Sequence, residues 1–168
     1  LLLWPLLLLT RLALRCRDAR DVSKPLQLRL CLQIARGLSY LHDLNPSIIH
    51  RDLSSANVLL DRSLNAKISD FGLSRVKMSS KNKPGSAGGT AEYQPPEVLR
   101  GNAYDEYADA YAYGILVWEI FSRKVPWRHR GMISVQVVAQ VVVHGTDATV
   151  EALELPSMAP PKVNDLIH

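Results

Sequence analysis

Cysteine is scarce in this sequence: Cys16 and Cys31 are the two thiols in 168 residues. Two thiols cannot build a disulfide framework or a cysteine-rich zinc site, and they fit reduced side chains in a cytoplasmic setting. Among the five histidines, His129, His144 and His168 lack metal-ligand spacing. Glycine and proline are modest, at 9 and 10, which excludes a collagen-like repeat or a low-complexity linker. Base exceeds acid only slightly, 20 Lys and Arg against 16 Asp and Glu, so charge gives no reason to expect nucleic acid. Long apolar runs are missing as well. Thr10 and Arg11 stop the run Leu1–Leu9 after nine residues, where a spanning helix needs about 20. The charged start and small-residue cleavage site of a signal peptide are also absent. This segment therefore does not support membrane association and reads as a truncated buried helix. The chain opens on Leu1 rather than Met, so a fragment is expected.

What is present suits one domain with one core: 47% of the residues are hydrophobic. Ser23 followed by Pro25 signals a helix start. Leu26, Leu30, Ile34, Leu38 and Leu41 recur at helical spacing, which predicts a helix from Pro25 to His42, ended by Asn45–Pro46. Val58–Leu60 and Ala66–Ile68, separated by Asp61–Asn65, read as a small hairpin. Residues 74–89, rich in Ser, Lys and Gly, read as one long exposed loop. Tyr107–Ser122 is apolar almost all round, which places it as a helix inside the core. Residues 133–143 are dominated by valine, and propensity alone says strand. Pro160–Pro161 opens a last short helix.

Three motifs stand in order along this frame. His50-Arg51-Asp52-Leu53-Ser54-Ser55-Ala56-Asn57 precedes the hairpin, Asp70-Phe71-Gly72 follows it, and Gly89-Thr90-Ala91-Glu92-Tyr93-Gln94-Pro95-Pro96-Glu97 closes the polar loop. Each is weak by itself. Their order, with a hairpin between the first two and a long loop before the third, is specific.

The chain resembles the C-terminal lobe of a eukaryotic protein kinase, and is most similar to the tyrosine-kinase-like group of serine/threonine kinases. Asp109-Ala110-Tyr111-Ala112-Tyr113-Gly114, Trp118-Glu119 and Pro126-Trp127 also match. The resemblance implies a mainly α architecture with a small β-hairpin, an α+β lobe whose N-terminal companion lobe is absent. Residues 1–22 carry no recognisable motif. Residues 23–168 would be a partial kinase domain, truncated before its last helices, and the position of 133–143 in the family implies a helix there despite its valines.

The resemblance also implies the chemistry. ATP and Mg²⁺ are the expected cofactors and a protein hydroxyl the expected substrate; phosphoryl transfer needs positioning and charge neutralisation more than covalent help. Asp52 would orient the substrate hydroxyl and accept its proton. Asn57 and Asp70 would hold Mg²⁺, which prefers hard oxygen ligands. Leu59 would form the floor under adenine, with Leu116 and Ile120 extending the stack below it. His50 and Phe71 would belong to the stack that aligns the lobes, Gly72 would allow the sharp turn after the metal ligand, and Asp109 would anchor the catalytic loop. Arg51 would pair with a phosphate on the activation loop, with Ser79, Ser80 and Ser86 as acceptors. Thr90 matches the threonine that bonds the catalytic Asp in serine/threonine kinases. Tyrosine kinases usually carry Ala-Ala-Arg or Arg-Ala-Ala where this chain has Ser54-Ser55-Ala56. A tyrosine or dual-specificity kinase is the alternative within the family.

Departures favour a different class, a non-catalytic pseudokinase-type scaffold. Ser54 stands where serine/threonine kinases usually have Lys, and Pro95 replaces the Ala of Ala-Pro-Glu. No glycine-rich phosphate loop, ATP-anchoring Lys or partner Glu is found, and the Arg that would pair with Glu97 is missing. Retention of Asp52, Asn57 and Asp70 favours the enzyme. The isolated chain is expected to give no turnover with Mg-ATP, a result that a phosphorylation assay comparing it with Asp52→Ala would check.

Overall fold

Pro25 lies in the first turn of α1 (Lys24–His42), where its missing N–H costs no helical hydrogen bond. The computed structural model describes residues 10–11, 22–76, 88–128 and 131–144. Readings that concern Leu1–Leu9, Cys16, Ser79, Ser80, Ser86, His129, Pro160–Pro161 and His168 lie outside the described residues. Ser23 takes the N-cap position of α1, although its side chain makes no capping bond. Leu30, Ile34, Leu38 and Leu41 form the buried stripe that their spacing predicts. Gln27 shares that face, and its Nε2 donates to the Ile120 carbonyl at 2.8 Å, which partners a buried amide and an orphan carbonyl at once.

Gln33, on another side of α1, grips the hairpin. Its Oε1 accepts from the Ala66 amide at 2.8 Å and its Nε2 donates to Asn65 Oδ1 at 3.0 Å. The hairpin pairs β3 (Val58–Leu60) with β4 (Ala66–Ile68), with Val58 opposite Ile68 and Leu60 opposite Ala66. Asp61 closes the turn by accepting from Asn65, and these bonds hold its carboxyl below the usual carboxylate range. β1 (Thr10–Arg11), within the segment that carries no motif, adds an antiparallel strand on the other side of β3.

A second ribbon corrects the reading of residues 74–89 as loop throughout. β2 (Ile48–Ile49) pairs antiparallel with β5 (Arg75–Val76). Both residues of β5 are exposed, so no apolar alternation advertised the strand; β5 exists because the backbone beside the fully buried Ile49 finds its partners there.

The short α2 (Pro96–Leu99) leads to α3 (Tyr107–Ser122), which runs through the core as predicted. Ile115, Leu116, Val117, Trp118 and Ile120 pack with Leu30, Ile34 and Leu38 of α1 and with Leu53, Val58 and Leu60. α3 ends at Arg123, in the left-handed conformation, with its amide on the Glu119 carbonyl at 2.8 Å. The valine run forms α4 (Ser134–His144), a helix as the family resemblance implies and against propensity. Val137 and Val141, one turn apart, bury against Trp127 with Leu99 and Met132 alongside. Arg100 then donates from Nε and Nη2 to the Val142 carbonyl, capping the C-terminal turn of α4.

Among the described residues, then, there are four α-helices and two small antiparallel sheets. None of these helices is long and apolar enough to cross a membrane. Leu116 is fully buried at the centre, so Leu116→Ala should cost about 2–5 kcal/mol. Urea unfolding of the chain followed by circular dichroism would measure the loss.

Candidate active site

The site grows from one buried carboxylate. Asp109 lies in the first turn of α3 and is 1% exposed. Its Oδ2 accepts the His50 amide and its Oδ1 the Arg51 amide, both at 2.8 Å. A third contact was not foreseen: His42 Nε2 lies 2.9 Å from Asp109 Oδ2. The sequence showed His42 only as a residue at a helix end, and its partner is 67 positions away.

His50 is fully buried, its Nδ1 accepts the Asp52 amide at 3.3 Å, and its Nε2 faces the Ser69 carbonyl at 3.0 Å. These two contacts are both made when Nε2 carries the proton, and the Nδ1 lone pair is then directed at the Asp52 amide. The ring meets Phe71 edge-on, with centroids 5.1 Å apart. Arg51 takes a positive φ of 72°; its Nη1 donates to the Leu73 carbonyl, and its guanidinium lies 5.3 Å from the Tyr104 ring centre.

Asp52 is where the first and third motifs meet. Asn57 Nδ2 donates to the Asp52 carbonyl at 2.8 Å and to Asp52 Oδ2 at 2.9 Å. On the other oxygen, Asp52 Oδ1 accepts the Thr90 amide at 2.9 Å and the Thr90 hydroxyl at 3.0 Å. Asp70 joins through its neighbour: both the amide and the hydroxyl of Ser69 donate to the Asn57 carbonyl at 2.9 Å. Asp70 itself is exposed and left-handed, φ 64°. The sharp turn therefore sits at Asp70 and not at Gly72 as expected. At Gly72 a Cβ would stand 3.3 Å from Asp70 Oδ1, and the Gly72 amide donates to that oxygen.

The donor set fits a hard divalent cation. Both hydrogens of the Asn57 amide side are directed at Asp52, so its oxygen is the atom left to meet a metal, and the Asp70 carboxylate is solvent-facing. Mg²⁺ typically takes one or two such protein ligands and completes its shell with water and phosphate.

Leu59 is half-buried on the face of β3 opposite Val58 and Leu60. Leu116 and Ile120 share a core cluster with Val58 and Leu60. Ser54, at the position where the resemblance expects Lys, is 1% exposed with an unpartnered hydroxyl. Glu97 is half-buried in α2, and its backbone carbonyl accepts the Asn102 amide.

A second buried acid escaped the sequence reading. Glu119 of α3 accepts Ser55 Oγ at 2.9 Å and the Tyr93 hydroxyl, while Ser55 Oγ and Tyr93 are 3.2 Å apart. Burial, reinforced by the Glu119 charge, pushes the Tyr93 hydroxyl far above its ordinary range, so it remains a donor. The signal was available: an acid amid the apolar run Ile115–Phe121 must have buried partners.

A family model described as the protein kinase domain matches residues 10–168. The chain belongs to the protein kinase family. It is 43% identical over 151 residues to a probable serine/threonine-protein kinase, SIS8, of Arabidopsis thaliana, covering 90% of this chain and 14% of that protein. It is 39% identical over 142 residues to the serine/threonine-protein kinase CTR1 of the same plant, covering 84% and 16%. It is 42% identical over 106 residues to the dual specificity protein kinase shkC of Dictyostelium discoideum, covering 62% and 21%. The chain thus spans less than a quarter of each of these relatives. The family uses ATP and Mg²⁺ and acts on proteins.

Asp109→Asn replaces one carboxylate oxygen with an NH2 donor, which then faces one of the two backbone amides. This kinase chain should then lose about 2–3 kcal/mol of stability, and whichever of the His50 and Arg51 amides meets the new donor should exchange at least about tenfold faster. His42→Ala should cost about 1 kcal/mol and leave both amides protected. Amide exchange by NMR with urea titration measures both.

Proposed function

We propose that this chain is the helix-rich catalytic lobe of a serine/threonine protein kinase, with residues 23–168 as its partial domain, transferring the ATP γ-phosphoryl group to a protein hydroxyl in the cytoplasm. One observation carries the reading: Asp52 is held on one oxygen by the Thr90 amide and hydroxyl and on the other by Asn57. A carboxylate fixed on both sides can orient an alcohol and take its proton as attack begins. Asn57 and Asp70 are the residues that would hold Mg²⁺, which when bound supplies positive charge to the phosphates. Leu59 would lie under the adenine. Arg51, beside the Leu73 carbonyl, would receive a phosphate carried by Ser79, Ser80 or Ser86. The Thr90 contact supports serine or threonine as the acceptor, and the name of the shkC relative keeps dual specificity as the variant within the family.

Ser54 supports the second reading, a non-catalytic scaffold. Its buried hydroxyl supplies no positive charge where the family places a lysine.

A segment swap separates the two. With the matching stretch of the CTR1 kinase replaced by this chain, the hybrid should phosphorylate serine and threonine peptides in preference to tyrosine. Asp52→Ala should lower its kcat by roughly 10²–10⁴-fold, and Asp70→Asn should raise its Mg²⁺ requirement. A folded hybrid that binds its partners yet transfers nothing would support the scaffold.

A further inference from the structure

We propose that Gln94 is a positioning residue: its buried side-chain amide pins the Gly88 carbonyl and so fixes Thr90 on Asp52. The inference rests on the reading of Asp52 as the residue that orients the substrate hydroxyl.

Thr90 reaches Asp52 across 38 positions of sequence and follows two consecutive glycines, the residues with the most backbone freedom to lose. A contact delivered by so free a segment needs a restraint on its other side. Gln94 supplies one, since its Nε2 donates to the Gly88 carbonyl. Between these two attachments Gly89 takes φ +100°, and it has no room for a side chain. A Cβ there would stand 2.8 Å from Gln94 Nε2, 2.9 Å from the Arg51 carbonyl and 3.1 Å from Asp52 Oδ1. The backbone is therefore clasped between the Gln94 amide and the catalytic loop.

Gln94 is itself well placed to act as the fixed side of the clasp. It is 7% exposed, its own amide donates to the Ala91 carbonyl at 3.2 Å, and it sits between Tyr93, tied to Glu119, and Pro95. Proline has its φ locked by its ring. A buried amide with no partner is costly, so the Gln94 side chain and the Gly88 carbonyl hold one another in place. Gly88, Thr90 and Gln94 line the same cavity as Asp52, so movement of the clasp is felt at the carboxylate.

The test uses the full 168-residue chain. Gln94→Met keeps the length of the side chain and removes the donor; Gln94→Glu keeps the shape and sets an anion against a carbonyl. In both, the Thr90 amide is expected to exchange about fivefold faster and the ¹³Cγ resonance of Asp52 to move, while amide protection through α3 stays unchanged. The proposal is overturned if Thr90 and Asp52 are unmoved in the folded variants. It is also overturned if protection falls equally across α3, because Gln94 would then be a packing residue. If both signals respond as expected while Asp52→Ala leaves transfer by the CTR1 hybrid intact, the clasp stands and the catalytic reading of Asp52 falls.

Discussion

Everything functional in this chain is built outward from the Asp109 carboxylate. A charge 1% exposed to solvent is tolerable only when its lone pairs are filled, and here two backbone amides and an imidazole fill them. The amides belong to His50 and Arg51, so the residue before Asp52 is fixed to the core helix by its own backbone. Arg51 is thereby held at a positive φ, an uncommon conformation for a side chain of this size. Each constraint supports the next: the helix fixes the carboxylate, the carboxylate fixes the loop, and the loop presents Asp52.

Local chemistry explains much of the rest of the site. Asp52 and Asn57 are five residues apart and bond directly, so a single turn of chain suffices to join them. Asp70 arrives because the hairpin returns the chain to its starting point, where Ser69 closes on Asn57. Thr90 is the distant member, and its approach depends on Gly89, which leaves no room for a side chain beside the Arg51 carbonyl.

The elements with strong periodicity were legible. The helix through Leu30, Ile34 and Leu38, the hairpin around Asp61–Asn65 and the helix Tyr107–Ser122 follow from apolar spacing, turn chemistry and all-round hydrophobicity. The chain's own residues did not announce the Arg75–Val76 strand, because two exposed residues have no pattern to show. Residues 134–144 illustrate the opposite conflict. Valine favours strands, yet a helix places Val137 and Val141 together on Trp127, and the burial outweighs the propensity. Within the site, the motifs named Asp52, Asn57, Asp70, Thr90 and Asp109. The roles of His42 and Ser55 stayed hidden because their partners lie far away in sequence, and that of Gln94 because only the fold of the Gly88–Gln94 stretch turns its side chain back onto the Gly88 carbonyl. The turn assigned to Gly72 went to Asp70 for a related reason: a motif names residues, and φ is settled by the contacts they make.

The two acids buried in α3 have a consequence for how this segment can change over time. Asp109 secures the entry of the loop that carries Asp52, and Glu119, through Ser55, secures its exit. Ten residues separate them in sequence, and a helix converts that number into a length of about 15 Å. The helix thus serves as a ruler whose two marks must match the span of the loop. Adding or deleting one residue between the marks would shift one of them by about 1.5 Å and swing it by about 100° around the axis. Point substitutions on the exposed side of α3 leave the ruler intact, whereas the spacing between its marks is not free to drift.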